Sequence, residues 1–257
     1  MTITSYVTSL FSLEGKTALV TGPGTGIGQA IAVGLARAGA DIIGTYHHTP
    51  LDDTKSLVEQ TGRSFHSYQV DFADPKSQQQ SVDAMLNSHS IDILINNAGT
   101  IKREQAAYYS EEHWHDVMNV NINSLFFLTQ KVGQQMLQKG QGKIVNIASL
   151  LSFQGGVFVP AYTASKHAVA GLTKAFANEW ANHHIQVNAI APGYIATNNT
   201  QAIRDDASRN EEILKRIPAG RWGKPEDLAG AAIFLSSSAS DYMNGHILAV
   251  DGGWLAR

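Results

Sequence analysis

The sequence predicts an α/β fold: one domain built on a doubly wound parallel sheet with helices on both faces. Three observations predict it. Short apolar-rich runs at residues 17–20, 40–46, 65–70, 91–95, 143–147, 185–190 and 247–250 alternate with longer stretches of helical periodicity. A glycine-rich turn joins the first run to the first helix. No linker, repeat or low-complexity segment interrupts the alternation, so residues 1–257 read as one domain.

The composition narrows the function classes. A chain of 257 residues can bury a sizeable core. Its formal net charge is −3 and its lysines and arginines are scattered, so no basic stripe follows a phosphate backbone and nucleic acid is not an expected partner. With no cysteine, disulfides and thiolate metal sites are excluded. The first residues lack a positively charged start and a sustained apolar core, and no apolar run reaches the ~18 residues of a membrane span. A soluble cytoplasmic protein is the expectation.

In chain order, residues 1–13 are a leader whose Leu10, Phe11 and Leu13 are expected to pack on the domain edge. Residues 17–20 read as a buried strand, followed by TGPGTGIG from Thr21 to Gly28, a helix to Arg37 and a stop at Gly39. A strand, a glycine turn and a helix in this order form the context of a Rossmann-type dinucleotide site: a tight turn, close backbone approach to a pyrophosphate, and amides aimed at the anion. The next strand, residues 40–46, ends at Tyr46 and His47, where such folds carry an acidic residue for NAD or an arginine for NADP. Neither is present, and the absence of a phosphate-binding cation leans the cofactor towards NAD without excluding NADP. His47 and His48 read either as a solvated turn or as a weak phosphate contact.

Residues 51–60 read as a helix and 65–70 as a strand ending at Asp71, placed either to bond an adenine amino group or to cap a turn. A polar helix at 75–86 precedes the strand 91–95 and the sequence NNAG from Asn96 to Gly99. Lys102 and Arg103 stand just beyond that strand end, where ligands of open α/β sheets gather. Residues 111–139 read as one long helix with Asn121 among apolar neighbours, a buried amide that must find partners. A helix at 160–183 follows the strand 143–147, and 194–217 is a polar excursion on the substrate side before a helix at 225–235.

The chemistry concentrates between Ser149 and Lys166. Tyr162 and Lys166 lie four residues apart after Pro160, a residue suited to a first helical turn, so both stand on one helix face. A cation there is expected to lower the tyrosine pKa towards general acid–base range, with Ser149 presented beside it from a strand tip. Histidine pairs at 113 and 115 and at 183 and 184 lack a metal-ligand pattern, read as surface residues, and give no expected metal site.

Taken together, TGPGTGIG, NNAG, Asn121 seven residues after Trp114, Ser149, YTASK from Tyr162 to Lys166, and PGYIAT from Pro192 to Thr197 resemble the short-chain dehydrogenase/reductase family. The likeness runs from about Leu13 to the end and is nearest to a sugar-acid branch of that family. It implies that Tyr162 exchanges the proton, Lys166 lowers its pKa and holds a ribose, Ser149 bonds the carbonyl, and Asn121 holds a water relay. It further implies that Gly22, Gly24, Gly26, Ile27 and Gly28 line the pyrophosphate and Asp71 the adenine. Asn97, Ala98 and Gly99 would flank the cofactor ribose, with Pro192, Gly193, Ile195 and Thr197 at the nicotinamide. The implied activity is NAD(P)-dependent interconversion of a ketone and a secondary alcohol of a deoxy sugar acid by a homotetramer. A gluconate, polyol or other carbonyl dehydrogenase, and a non-catalytic dinucleotide sensor, are the alternatives. For the substrate carboxylate, Arg103 is the first candidate, with Lys102, Gln154, Arg204 and Arg221 behind it.

Overall fold

In the computed structural model, which describes residues 2–257, the chain opens with helix α1 (Ile3–Phe11) where the sequence suggested only a leader. The Thr2 hydroxyl caps it by accepting from the Ser5 amide, and Ser238 Oγ donates to the carbonyls of Ser9 and Leu10. Of the three leader residues expected at the domain edge, Leu13 is buried, Leu10 half-buried and Phe11 exposed. The chain then runs β1 (Thr17–Thr21), α2 (Gly26–Arg37), β2 (Asp41–Tyr46), α3 (Asp52–Glu59), β3 (Phe65–Gln69), α4 (Pro75–Ser88), β4 (Ile93–Asn96), α5 (Glu111–Met118), α6 (Ser124–Lys139), β5 (Gly142–Ile147), α7 (Pro160–Trp180), β6 (Ile185–Pro192), α8 (Gln201–Asp205), α9 (Ala207–Arg216), α10 (Ala229–Ser236) and β7 (Ile247–Val250).

The strands form one sheet in the order β3-β2-β1-β4-β5-β6-β7, and every pairing is parallel. β1 pairs with β2 from Thr17 opposite Asp41 to Thr21 opposite Thr45, and with β4 from Ala18 opposite Ile93 to Val20 opposite Ile95. Strand order reverses at the β1/β4 boundary, so the loops leaving these strands diverge and open a crevice at the carboxyl edge. Both sheet faces are covered, which explains the unbroken apolar text of the strands. Ala18 and Val20 pack towards α2 and α10, while Leu19 between them packs towards α4, α6 and α7. Among the described residues no helix is long and apolar enough to cross a membrane.

Two expected helices change on folding. The stretch 111–139 is divided by a π-helical turn, Asn119–Asn123, in which the Ser124 amide donates to Asn119 O five residues back. The stretch 225–235 begins as a tight turn, Pro225–Leu228, before α10. The excursion after β6 holds α8 and α9, which close over a cluster of Leu150, Ile213, Ile217 and Trp254.

Candidate active site

The carboxyl ends of β1 and β4 are fastened to each other before any ligand is considered. Thr21, the last residue of β1, accepts the amides of Asn97 (2.9 Å) and Ala98 (2.8 Å) through its hydroxyl. Asn97 Nδ2 returns to donate to the carbonyls of Thr21 (2.9 Å) and Gly22 (3.1 Å). Gly22 and Gly26 adopt positive φ, +63° and +57°, which the turn requires and side-chain-bearing residues resist. A Cβ on Gly28 would strike the Asn97 amide and lie 2.5 Å from Gly22 O. This leaves a bare backbone cradle at the start of α2, the shape and polarity that fit a pyrophosphate.

From the cradle a cleft of about 760 Å³ runs between His47 and Asp71 at one end and Tyr162, Lys166 and Thr197 at the other. Gly22, Gly26, Ile27, Gly28, Tyr46, Asn97, Ala98 and Gly99 also line it. At the first end His47 Nε2 lies 3.3 Å from Asp71 Oδ2, and the rings of His47 and His48 are 3.6 Å apart. Four of the cofactor residues expected from the sequence lie elsewhere. Gly24 turns towards Leu51, with its carbonyl accepting from Gln29. Pro192 ends β6 in the interior, Ile195 belongs to the core beneath α2, and Gly193 is pressed against Asp251, where a Cβ would come within 2.6 Å of Asp251 Cα. Gly193 and Ile195 instead border a separate cavity of about 250 Å³.

Pro160 starts α7, and one helical turn separates Tyr162 from Lys166 on the face turned to the cleft. Lys166 is buried, places Nζ 5.5 Å from the centre of the Tyr162 ring, and donates to Ile147 O at 2.6 Å. With no carboxylate beside it, burial pulls its ammonium down to about 8. Burial pushes the Tyr162 phenol up, opposed by its hydrogen bond with Ser149 and by the charge of Arg103. The charge of Arg103 therefore adds to the effect expected of the Lys166 ammonium one helical turn from Tyr162. Lys166 Nζ lies over the ring and is held in place by the Ile147 carbonyl. Ser149 Oγ also accepts from the Leu151 amide at 3.1 Å, which fixes the hydroxyl at the tip of β5.

Asn121 sits in the π-helical turn, buried, with its side chain making three hydrogen bonds. Its Oδ1 accepts from Thr100 N (2.8 Å), and its Nδ2 donates to Thr100 O (3.0 Å) and Ser165 Oγ (3.0 Å). Ser165 Oγ in turn donates to Tyr162 O at 2.8 Å. The side chain thus braces the loop after β4 against the tyrosine turn.

Of the five substrate candidates, the structure brings two into the cleft. Lys102 pairs with Asp116 at 3.1 Å, whereas Arg103 forms no ion pair among the described residues and makes only a long contact, 3.5 Å, to Asn199 O. The other three are committed outside it. Gln154 accepts from Trp254 Nε1 (3.4 Å), Arg204 donates to Thr197 O (3.1 Å), and Arg221 pairs with Asp227 (2.7 Å). Thr21, Thr100 and Ser165 carry bonds that shape the site, and a lone strand-end threonine or helix serine gives no sequence signal of this.

Residues 22–255 match a family model described as enoyl-(acyl carrier protein) reductase. The chain is 66% identical to the 2-dehydro-3-deoxy-D-gluconate 5-dehydrogenase of Bacillus subtilis (strain 168), over 98% of this chain and 99% of that protein. It is 56% identical to the enzyme of the same name from Escherichia coli (strain K12), over 98% and 100%. A crystal structure from Agrobacterium tumefaciens with bound NADP superposes with a TM-score of 0.91 at 58% identity, covering 96% of this chain and 99% of that one. A gluconate 5-dehydrogenase from Burkholderia cenocepacia J2315, in complex with NADP and tartrate, gives 0.92 at 38% identity, covering 98% and 99%. A glycine cradle, Tyr162 and Lys166 lining the same cleft, and relatives matched over nearly their full length agree: the chain belongs to the short-chain dehydrogenase/reductase family.

Proposed function

We propose that the protein is a nicotinamide-dinucleotide-dependent oxidoreductase acting on the C5 secondary alcohol of 2-dehydro-3-deoxy-D-gluconate, or in reverse on the matching ketone. The observation that carries the reading is Arg103, a cation that forms no ion pair among the described residues and whose charge reaches the Tyr162 phenol across the same cleft. Relatives named for that reaction at 56% to 66% identity support the substrate.

Bound in the cleft, the nicotinamide supplies the hydride acceptor or donor. Tyr162 takes the hydroxyl proton in oxidation and returns it in reduction. Its raised pKa keeps the phenol protonated at neutral pH, the form that donates in reduction. Ser149 donates to the substrate oxygen as charge develops there, and Asn121 keeps the Tyr162 turn in register through Ser165. Gly22, Gly26, Ile27 and Gly28 bind the pyrophosphate, Asp71 the adenine, and Thr197 the nicotinamide amide. Lys166 holds a ribose. NAD is the preferred dinucleotide, supported by a cleft whose Tyr46 end offers His47 and the acidic Asp71 but no lysine or arginine. The bound NADP of solved relatives supports use of NADP as the second reading. We place the enzyme in the cytoplasm as a homotetramer.

Arg103→Ala tests the substrate assignment. It should raise KM for the sugar acid about a hundredfold and leave the dinucleotide Kd within twofold, as expected when a carboxylate loses a charge-assisted partner. An unchanged KM would remove the carboxylate role.

A further inference from the structure

The two neighbours of Arg103 are both tied down, and on elements that do not carry the chemistry. On one side Lys102 reaches Asp116 of α5, and its carbonyl accepts from Tyr109 OH at 3.2 Å. On the other side the Glu104 amide donates to Phe158 O at 2.9 Å, two residues ahead of Pro160 and α7. Phe158 holds this carbonyl out in a left-handed conformation, φ +65°, one of two such non-glycine residues in the described chain. The Glu104 carboxylate accepts from the Ser110 amide at 3.0 Å and meets His113 Nδ1 at 3.0 Å. Ser110 is the N-cap of α5 and His113 lies in its first turn, so a helix end receives the negative charge. The Ser110 amide above all, and His113 after it, hold the Glu104 carboxyl below the usual carboxylate range.

This arrangement solves an electrostatic problem. Glu104 is next in sequence to an arginine that forms no ion pair among the described residues, and its carboxylate, once released from α5, would compete with an anionic substrate for that guanidinium. We infer that Glu104 and His113 are positioning residues for substrate binding: His113 and the α5 N-terminus draw the carboxylate away from Arg103, so that the guanidinium charge is left for an anionic substrate. The inference rests on the sugar-acid reading above and deepens it. The His113 that looked like a surface histidine thereby acts on specificity without touching substrate.

The experiment compares KM and kcat for the sugar acid and for its neutral amide in four proteins: the parent, Arg103→Ala, His113→Ala, and His113→Ala combined with Glu104→Gln. His113→Ala removes one restraint and leaves the Ser110 amide, so it should raise KM for the acid about threefold, while kcat and the amide's KM stay within twofold. Glu104→Gln in the His113→Ala background should bring the acid's KM back towards the parent, because a neutral amide cannot compete for the guanidinium. A merely structural role predicts equal damage with both substrates and no rescue. Either that pattern or an unchanged acid KM in His113→Ala overturns the inference while leaving the Arg103 assignment standing. An Arg103→Ala enzyme with parental KM for the acid overturns the assignment and the inference together.

Discussion

Burying an ammonium beside no carboxylate works against stability, and Lys166 shows it directly. Its folded value of about 8 lies below the ordinary 10.5, a gap equivalent to roughly 3 kcal/mol of destabilisation relative to an exposed lysine. The bond to Ile147 O recovers about 1 kcal/mol of the kind a neutral replacement would forfeit. Lys166→Met should therefore abolish turnover yet stabilise the fold at pH 7 by about 2 kcal/mol. The sign of the pH dependence follows from the depressed value. Below about 8 both states hold the proton; between about 8 and 10.5 the unfolded chain holds it and the folded one does not, so the parent gains stability as pH rises and the variant lacks that gain. Urea unfolding of both proteins at pH 7 and 9.5 reads the difference; a variant less stable at pH 7 with the parent's pH slope would refute the account.

At the level of elements, the β1 end, glycine turn and start of α2 act with the β4 end as one unit, locked by Thr21 and Asn97. Gly28→Ala should push Asn97 off this lock and weaken dinucleotide binding by at least about tenfold, roughly 1.4 kcal/mol, in a protein that still folds. Fluorescence titration with NADH measures it, and parental affinity would show that the cradle tolerates a methyl group. The helix face bearing Tyr162 and Lys166 and the strand, glycine turn and helix order were legible in the sequence, because spacing and punctuation encode them locally. The division of the 111–139 helix was not: its π-helical turn depends on Asn121 meeting Thr100 and Ser165, contacts made only in the folded chain. Gly24, Gly193 and Ile195 were expected at the cofactor from the family resemblance alone, and only packing against Leu51, Asp251 and the α2 core shows which way they turn. Arg204 and Arg221 failed as cleft residues for the same reason, since the partners that claim them, Thr197 O and Asp227, are not implied by sequence position.

At the scale of the molecule, the sheet order brings the loops after β1, β2, β3, β4 and β6 to one crevice, and the helices around it leave aromatic surface uncovered. Trp114 on α5 and Phe127 on α6 are 40% and 53% exposed. Apolar exposure on adjoining helices suits subunit packing, and sedimentation velocity should give four times the chain mass. A monomer at micromolar concentration would contradict the tetramer. The central claim is the reaction itself, and one assay addresses it: absorbance of NADH or NADPH formed from NAD+ or NADP+ when purified protein meets 2-dehydro-3-deoxy-D-gluconate, run beside Tyr162→Phe. The account predicts turnover with the sugar acid, oxidation at C5, and a loss of about a hundredfold or more in the variant while it still binds dinucleotide. No turnover with this or related sugar acids, or near-parental turnover in Tyr162→Phe, would contradict it.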